Sequence, residues 1–413
     1  MKIVIVGGGV AGLYAAWHLS QHHEVVLLEA DDRLGGHADT HVVEEGGRKR
    51  FIDSGFIVFN EWHYPLFSRW LQTLGVEWES SDMSFGVSDT ASGLEYNATT
   101  LNRLFCQRRN LLSPRFHGMI ADIIRFYRRA PTLLEEIGDE VTLADWLSGS
   151  GLGRMFADYH LMPMASALWS APMGRIGDFP MRHLLAFMDN HAMLTLTRRP
   201  PWRTVTGGSR SYVAAASRCR ARFVTASPVR EIVRHTDAVR VMTDGDDIQA
   251  DAVILACHSD QALALLADAS PTERAVLGAI AYQPNETVLH TDASVLPRRP
   301  LARAAWNVRR DGTDHDQCRV SYCMNRLQNI DSATDYIVSL NQTDRIDPER
   351  IIARRRYAHP VFTPAAVRAQ QRWSDINGPR RTWFCGAWWG WGFHEDGVAS
   401  ARRVIDDLVS RHE

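Results

Sequence analysis

A glycine-rich turn directly after a short apolar run restricts the fold of this chain more than any other feature. Residues 2–6 are almost entirely β-branched and apolar, as expected for a fully buried parallel strand. In the turn that follows, Gly7 permits a tight bend and Gly9 lets the backbone approach a pyrophosphate. Gly12 allows a helix and a strand to pack closely. The sequence therefore predicts a nucleotide-binding βαβ unit.

The next elements fit the same unit. Residues 13–20 have helical periodicity, and a helix there directs its N-terminus at the phosphates. A second strand over residues 24–28 ends at Glu29, where a carboxylate accepts hydrogen bonds from a ribose hydroxyl. Strand, glycines, helix, strand and acid occur in register, so we predict a Rossmann-type domain.

Two motifs after Glu29 separate a flavin site from a nicotinamide site. The loop from Ala30 to His37 carries the pair Gly35 and Gly36, and residues 51–56 read Phe-Ile-Asp-Ser-Gly-Phe. Both resemble motifs of the flavin amine oxidase superfamily. In that superfamily an arginine usually follows the glycine pair, and in this chain His37 replaces it. His37 and His41 have the spacing of a metal pair, but no third ligand is evident and we expect no metal.

Further motifs extend this resemblance along the chain. Val229 and Ile232 match the strand that meets the adenine, and residues 251–256 match a buried strand leading to a loop over the cofactor. Residues 204–209 match the turn that returns the chain to the flavin domain, and residues 383–387 and 397–401 match the closing motif. The resemblance implies FAD, bound by Gly7, Gly9, Ala11, Gly12, Glu29, Ala30, Gly35, Gly36, His37, Asp53, Gly55, Val229, Ala256, Gly386, Gly397 and Val398.

The implied architecture is α/β, with two interleaved domains as in amine oxidases. We expect a Rossmann-type FAD-binding domain built from residues 1–60, 204–270 and 370–413. Residues 61–203 and 271–369 are expected to form an α+β substrate domain. A chain of 413 residues is long enough for two packed cores.

A narrower resemblance rests on three distinctive segments, at residues 285–292, 324–328 and 392–397. They resemble a bacterial flavoprotein family that accompanies cyclopropane-fatty-acid-synthase-like methyltransferases. This resemblance implies a fatty-acyl or phospholipid substrate and a lipid methyltransferase as a partner.

Lysine usage argues against an amine substrate. Classical amine oxidases place a lysine near flavin N5, but Lys2 and Lys49 are the only lysines in this chain. Arginine cannot replace a lysine as a base, because it does not release its proton in proteins.

The candidate acid/base residues lie between Gly386 and the last helix. His394 has an ordinary pKa near neutrality and Glu395 adjoins it, so we predict both as catalytic residues. A helix-capping role for Glu395 and for Asp396 is the alternative. His290 and Asp292 are second candidates.

Aromatic residues cluster in the same segment. Trp388, Trp389, Trp391 and Phe393 are predicted to wall a substrate pocket that excludes water, with a plain interdomain core as the alternative.

Charge and composition limit which partners and which cellular location are expected. The formal net charge is −2, which argues against nucleic-acid binding. Residues 103–129 alternate arginine with apolar residues, a pattern typical of an interfacial helix on anionic lipid. The alternative is a solvated helix. Six scattered cysteines and a first strand that begins at Lys2 predict a cytoplasmic protein without a signal peptide, peripheral on the inner face of the cytoplasmic membrane.

The predicted reaction is desaturation of methylated acyl chains of membrane lipids, with hydride transfer to flavin N5. We expect an elongated apolar tunnel that opens near residues 103–129. Three alternatives stay open: a fatty-acid double-bond isomerase, an amine oxidase, and a non-catalytic flavin scaffold for a lipid methyltransferase.

Overall fold

A computed structural model describes residues 1–195, 199–311 and 318–411. It shows a two-domain α/β architecture with a parallel sheet at its centre. The five strands of that sheet come from widely separated parts of the chain and pair in parallel throughout. In spatial order they are β10 (Arg222–Val224), β2 (Glu24–Leu28), β1 (Lys2–Val6), β14 (Ala252–Leu255) and β20 (Thr382–Phe384).

The second large sheet has seven strands. In spatial order they are β19 (Ile351–Val361), β15 (Ala281–His290), β18 (Ile337–Leu340), β17 (Val320–Cys323), β16 (Trp306–Arg310), β7 (Phe85–Asp89) and β8 (Glu95–Asn97). Strands β16 and β7 pair in parallel, and the other neighbours in this sheet pair antiparallel.

Three small antiparallel sheets complete the strands. They are β11 (Val229–Arg234), β12 (Val239–Thr243) and β13 (Asp247–Ala250); β3 (Thr40–Glu45) with β4 (Arg48–Asp53); and β5 (Val58–Asn60), β9 (Trp202–Val205) and β6 (Trp78–Ser80).

The α-helices are α1 (Val10–Leu19), α2 (Pro65–Thr73), α3 (Leu101–Leu104), α4 (Pro114–Glu136), α5 (Leu143–Gly149), α6 (Arg154–Phe156), α7 (Met162–Trp169), α8 (Met173–Ile176), α9 (Met181–Asn190), α10 (Arg210–Ala216), α11 (Ser259–Leu265), α12 (Pro271–Leu277), α13 (Met324–Leu327), α14 (Pro364–Gln370), α15 (Trp373–Ile376) and α16 (His394–Ser410). Within the described residues, none of these helices combines the length and the apolar character needed to cross a membrane.

Alternation along β1 builds a core on each face of the parallel sheet. Ile3 and Ile5 pack with α1 and α16, whereas Val4 and Val6 pack with β11, β12 and the helices beyond them. Successive side chains of a strand point to opposite faces of the sheet. A strand that is apolar throughout must therefore be packed against other elements on both faces. The buried run therefore produces a sheet covered on both sides.

Two helices pack differently from the sequence expectations. Helix α2 lies in the stretch assigned to the substrate domain, yet Phe67, Trp70 and Leu71 pack in the same core cluster as α1 and α16. In α4, Phe116 and Met119 are buried against the seven-stranded sheet. The apolar face of α4 thus belongs to the protein core and is not free to lie in a membrane, which corrects the interfacial-helix interpretation of this segment.

Candidate active site

A cleft of about 810 Å³ lies between the parallel sheet and strand β19. Its walls combine the glycine-rich turns, the loop after β14, the segment before α16 and the end of β19. The described lining residues include Gly7, Gly9, Ala11, Glu29, Ala30, Gly35, Gly36, His37, Val229, Ala256, Gly386, Trp388 and His394, all of which the sequence predicted as site residues.

The glycine turns are shaped around this cleft. A Cβ on Gly9 would meet nothing within 4 Å, so this backbone faces open space. Gly36 has a φ of +58°, and a Cβ there would approach the Cα of Gly9 to 3.2 Å. A Cβ on Gly12 would lie 2.0 Å from the Gly7 carbonyl oxygen. Gly12 therefore acts behind the cleft, in helix–strand packing, while Gly9 leaves room for a ligand.

Glu29 lies where β2 ends, beside the cleft. Its carboxylate accepts hydrogen bonds from the backbone amides of Gly8 at 2.6 Å and Asp31 at 2.9 Å. Ala30 and Val229 line the same end of the cleft. The carboxylate is thus already oriented by the glycine turn, in the position from which a ribose hydroxyl is bound in such folds.

Positive charge near the second glycine pair comes from residues other than His37. Arg33 donates to the carbonyl of Gly36 at 2.8 Å, and Arg355 forms an ion pair of 2.6 Å with Asp39. Both arginines line the cleft. Burial lowers the pKa of His37 well below its ordinary value, with the neighbouring histidines adding to the effect. The arginines, rather than His37, therefore supply permanent positive charge for a pyrophosphate.

A group of histidines was missed by the sequence analysis. His258 and His359 line the cleft with His37, and their ring centroids lie 5.8 and 5.4 Å from that of His37. His359 Nδ1 accepts a hydrogen bond from the Asn285 side-chain amide at 3.0 Å. Asn341 donates to the Asn285 side-chain oxygen at 2.7 Å, which fixes the orientation of that amide. The neutral His359 ring therefore carries its proton on Nε2.

The distant pairing of β15 with β19 creates this arrangement. Asn285 and Tyr357 are register partners, so the first distinctive segment of the chain orients a cleft residue of β19. Asn285 did not stand out in the sequence, because β15 also carries Gln283, Glu286 and Thr287. Its partner could not be named, because 74 residues separate Asn285 from His359.

Asp53 and Gly55 lie behind the cleft wall and not among its described lining residues. The buried Asp53 carboxylate accepts hydrogen bonds from Ser209 Oγ at 2.7 Å and Gln328 Nε2 at 2.7 Å. A Cβ on Gly55 would lie 2.0 Å from the His37 carbonyl oxygen. Both residues thus hold the wall in place and do not offer a direct contact to a ligand in the cleft.

The start of α16 has a similar supporting role. A Cβ on Gly397 would lie 2.8 Å from a methyl group of Val10, so α16 packs directly on α1 at this point. Val398 is fully buried in the same core. Both residues position the helix N-terminus and are absent from the described lining.

His394 lines the cleft and is held from two sides. Its ring stacks on Phe56 with a centroid distance of 3.4 Å, and its Nε2 lies 2.9 Å from the Tyr212 hydroxyl. Burial lowers the pKa of His394 to about 3. The imidazole is therefore neutral throughout the physiological range, and Nδ1 is its remaining ring nitrogen.

The acids beside His394 are occupied by backbone amides. Glu395 accepts hydrogen bonds from the amides of Leu66 at 3.0 Å and Phe67 at 2.9 Å, which caps the start of α2. Asp396 accepts from the amide of Phe393 at 2.9 Å and caps α16. Burial raises the pKa of Asp396 to about 7. Both carboxylates thus cap helix N-termini, Glu395 that of α2 and Asp396 that of α16, and a catalytic role of Glu395 stays a prediction.

The four aromatic residues divide between cleft and core. Trp388 lines the cleft and donates through Nε1 to the Cys257 carbonyl at 3.1 Å. Trp389 donates to the Phe384 carbonyl at 3.0 Å and packs between the two cores of the flavin domain. Trp391 and Phe393 join an aromatic group on α9, where Phe393 stacks on Phe187 at 5.0 Å.

Other residues singled out in the sequence have structural roles. His290 Nε2 lies 2.9 Å from Ser339 Oγ, and Asp292 accepts from the Ser294 amide at 3.0 Å. His41 Nε2 lies 2.8 Å from Ser54 Oγ. Across the described ranges, no group of three histidine, cysteine, aspartate or glutamate residues is arranged to hold a metal ion.

The cleft fits FAD. Gly9 leaves open space beside the turn, Glu29 stands at one end of the cleft, and two arginines flank the second glycine turn. The model of one protein family, described as flavin-containing amine oxidoreductase, matches residues 10–325. The chain belongs to this family. Its cofactor is FAD, and the family is one of flavin-containing oxidoreductases.

A curated relative matches part of the chain, and solved structures share its fold. The flavin-dependent L-tryptophan oxidase RebO of Lentzea aerocolonigenes is 51% identical over 55 residues, which is 13% of this chain and 12% of that protein. The match thus spans only about an eighth of the relative's length. A putrescine oxidase bound to putrescine has a TM-score of 0.72 at 14% identity, covering 99% of both chains. A fatty acid isomerase from P. acnes that produces CLA has a TM-score of 0.69 at 16% identity, covering 99% of this chain and 98% of that one. At these identities the two structures show a shared fold.

Proposed function

We propose that this oxidoreductase desaturates methylated acyl chains of membrane lipids. The observation that carries the proposal is the absence of a free counter-charge for an amine. Among the described residues that line the cleft, the carboxylates are Glu29 and Asp31, both at the end of β2. Glu395 and Asp396, the acids nearest His394 in the chain, are engaged with backbone amides. An ammonium ion placed there would lose hydration without gaining an ionic partner.

The surroundings of His394 suit an apolar chain instead. The ring of Phe56 stacks on His394 at 3.4 Å, and the rings of Phe67 and Tyr212 lie 5.4 and 6.0 Å from it. Aromatic walls exclude water and bind methylene groups through burial of apolar surface. The shared fold with a fatty acid isomerase is consistent with acyl-chain chemistry in this architecture.

Bound FAD supplies an acceptor for the hydride that leaves the substrate carbon. The chain itself must then remove a proton from the neighbouring carbon to complete the C=C bond. A proton next to a carbon with developing positive charge is strongly acidic, so a weak base is sufficient. His394 has a low pKa and therefore stays unprotonated and available. When its Nε2–H is donated to Tyr212, Nδ1 is the atom that accepts the proton.

Two alternatives leave different chemical traces. A double-bond isomerase moves a hydrogen within the chain and leaves the mass of the lipid unchanged. An amine oxidase leaves lipids untouched and consumes an amine. The similarity to a putrescine oxidase fold and to part of an L-tryptophan oxidase favours the amine oxidase as the second candidate.

Mass spectrometry of phospholipids with methylated, unsaturated acyl chains tests the proposal. We expect a product lighter by two hydrogen atoms after incubation with the FAD-loaded protein and an electron acceptor. An isomeric product of equal mass would indicate the isomerase. Unchanged lipid together with oxidation of an amine would contradict the proposal.

A further inference from the structure

Three exposed leucines lie on two consecutive short helices of the substrate domain, which hydrogen bonds of Arg108 link. Leu101 begins α3, and Leu111 and Leu112 end the short helix Arg108–Leu112. Their exposed fractions are 76%, 50% and 88%. Large apolar side chains that share one exposed site usually mark an interaction surface. These three residues define the leucine tip.

Hydrogen bonds hold the leucine tip together. Arg108 donates to the carbonyl of Phe105 at 3.0 Å and to the side-chain oxygen of Asn102 at 2.5 Å. His117, on the first turns of α4, lies 2.8 Å from the Leu111 carbonyl. The tip is therefore an ordered part of the fold, and its leucines stay in water although the adjacent Phe116 is buried.

Arginines surround the leucine tip. Four arginines lie on the same segments as the leucines or at the start of α4. Two more precede the short helix Pro300–Ala302, which packs on α3. They are Arg103, Arg108, Arg109, Arg115, Arg298 and Arg299. Neighbouring acids are already engaged. Glu95 accepts hydrogen bonds from the Arg298 and Arg299 amides and forms an ion pair of 3.6 Å with the Arg299 side chain, and Asp122 pairs with Arg125. The surface is thus apolar at its centre and positive around it.

We propose that the leucine tip docks on an anionic lipid bilayer, with the leucines in the acyl region and the arginines at the headgroups. This pattern matches the bilayer interface, where apolar side chains enter the acyl boundary and basic ones meet anionic phosphates. A docking protein would have to present an acidic rim around an apolar socket. The inference stands on this surface alone and does not depend on the reaction proposed above.

The membrane contact that we propose is the leucine tip, whereas the sequence predicted a helix lying along the membrane surface. Most of the large apolar residues of α4 face the core, so the helix has no broad apolar face to place in a membrane. The residues that remain free to enter a bilayer belong to the turns before α4. Docking therefore uses the end of the helix rather than its length.

Flotation of the FAD-loaded protein with vesicles tests the proposal. The vesicles contain phosphatidylglycerol in phosphatidylcholine, and pure phosphatidylcholine is the neutral comparison. We expect binding to the anionic vesicles that weakens in high salt because screening reduces the attraction. Leu111→Ser with Leu112→Ser should lower the partition coefficient by about tenfold or more, because two apolar side chains no longer enter the bilayer.

Matched variants distinguish the contribution of the leucine tip from a general effect of changed charge or lost apolar surface. Arg115→Glu with Arg298→Glu should weaken binding to anionic vesicles at low salt, whereas Arg218→Glu with Arg220→Glu reverses two exposed arginines elsewhere and should change it less. Trp62→Ser removes an exposed aromatic residue outside the tip and should leave binding unchanged. All variants should retain bound FAD. Wild-type protein that ignores anionic vesicles, or leucine variants that bind as well as wild type, would overturn the proposal.

Discussion

At the scale of single residues, the glycine turns decide whether the cofactor is held. Gly9→Leu should abolish FAD retention, because the new side chain would project into the open cleft beside the turn. Gly118→Leu is the matched control, since Gly118 lies on the exposed side of α4 with nothing within 4 Å of its Cβ. The ratio of flavin to protein absorbance measures retention. A yellow Gly9→Leu protein with the wild-type ratio would contradict the assignment of this turn.

Glu29 should contribute measurably to the same binding. Glu29→Ala removes the acceptor at the ribose end of the cleft and also frees the amides of Gly8 and Asp31. We expect FAD to bind more weakly by roughly 1–3 kcal/mol, the usual effect of losing charge-assisted hydrogen bonds. Fluorescence titration of the apoprotein gives the dissociation constant. Glu29→Gln should lose less, since its amide oxygen still accepts. An unchanged constant for Glu29→Ala would mean that the ribose is held elsewhere.

His394 can be tested as the proton acceptor without disturbing the cofactor. His394→Gln can retain a hydrogen bond to Tyr212 but offers no basic nitrogen. We expect FAD to stay bound and the rate of product formation in a single turnover to fall by at least about 100-fold, the usual contribution of a general base. Tyr212→Phe should lose less. A His394→Gln protein with the wild-type rate would show that this histidine is only part of the wall.

At the scale of elements, a buried polar clamp joins the two domains. Gln328 follows α13 and makes two hydrogen bonds with Asp53 at the end of β4. Its side-chain oxygen accepts from the Asp53 backbone amide, and its side-chain nitrogen donates to the Asp53 carboxylate. Burial raises the pKa of Asp53 to about 6. This pKa is higher in the folded protein than in the unfolded chain, so protonation of Asp53 stabilises the fold at low pH. That stabilisation is lost as the pH rises through 6.

Gln328→Ala should therefore destabilise the protein by about 1–3 kcal/mol, because it leaves buried polar atoms without partners. The loss should be larger at pH 8 than at pH 5, since the ionised Asp53 carboxylate depends more on its donors. Urea unfolding at both values measures the difference. Gln371→Ala, at an exposed position on the surface, is the control. Equal stability of the Gln328→Ala and wild-type proteins at pH 8 would exclude the clamp.

The elements also show what a sequence can and cannot predict in this fold. The turn at Gly7 and the strand over residues 2–6 were predictable, because local periodicity and glycine spacing dictate them. The role of His359 was not, since it depends on the pairing of β19 with β15 and on Asn285. The capping of α2 by Glu395 was not predictable for the same reason, because the amides that begin α2 are more than 300 residues away along the chain.

At the scale of the whole molecule, buried histidines make the fold sensitive to acid. Burial lowers the pKa of His160, His183, His191 and His290 to about 4 each. In the unfolded chain these rings titrate near 6.5. Stability is therefore fully present above pH 6.5 and is lost as the pH falls toward 4, because the unfolded chain binds more protons.

Thermal unfolding between pH 8 and pH 4.5, followed by tryptophan fluorescence, should show a steep decline below pH 6.5. His183→Phe should flatten part of this decline, since the ring nitrogen Nε2 of His183 is buried without a hydrogen-bond partner among the described residues. We expect a gain of about 1–2 kcal/mol at pH 5. The exposed His22→Ala is the control. A melting temperature that is constant from pH 7 to pH 5 would contradict this interpretation.

In the proposed reaction an acyl chain, and not an amine, delivers electrons to the flavin. Anaerobic mixing of the FAD-loaded protein with vesicles of methylated, unsaturated phospholipid follows this electron transfer through the absorbance near the flavin maximum. We expect the flavin absorbance to bleach with the lipid and to stay constant with putrescine or L-tryptophan. Rapid bleaching by either amine, with none by the lipid, would rule out the acyl chain as the electron donor.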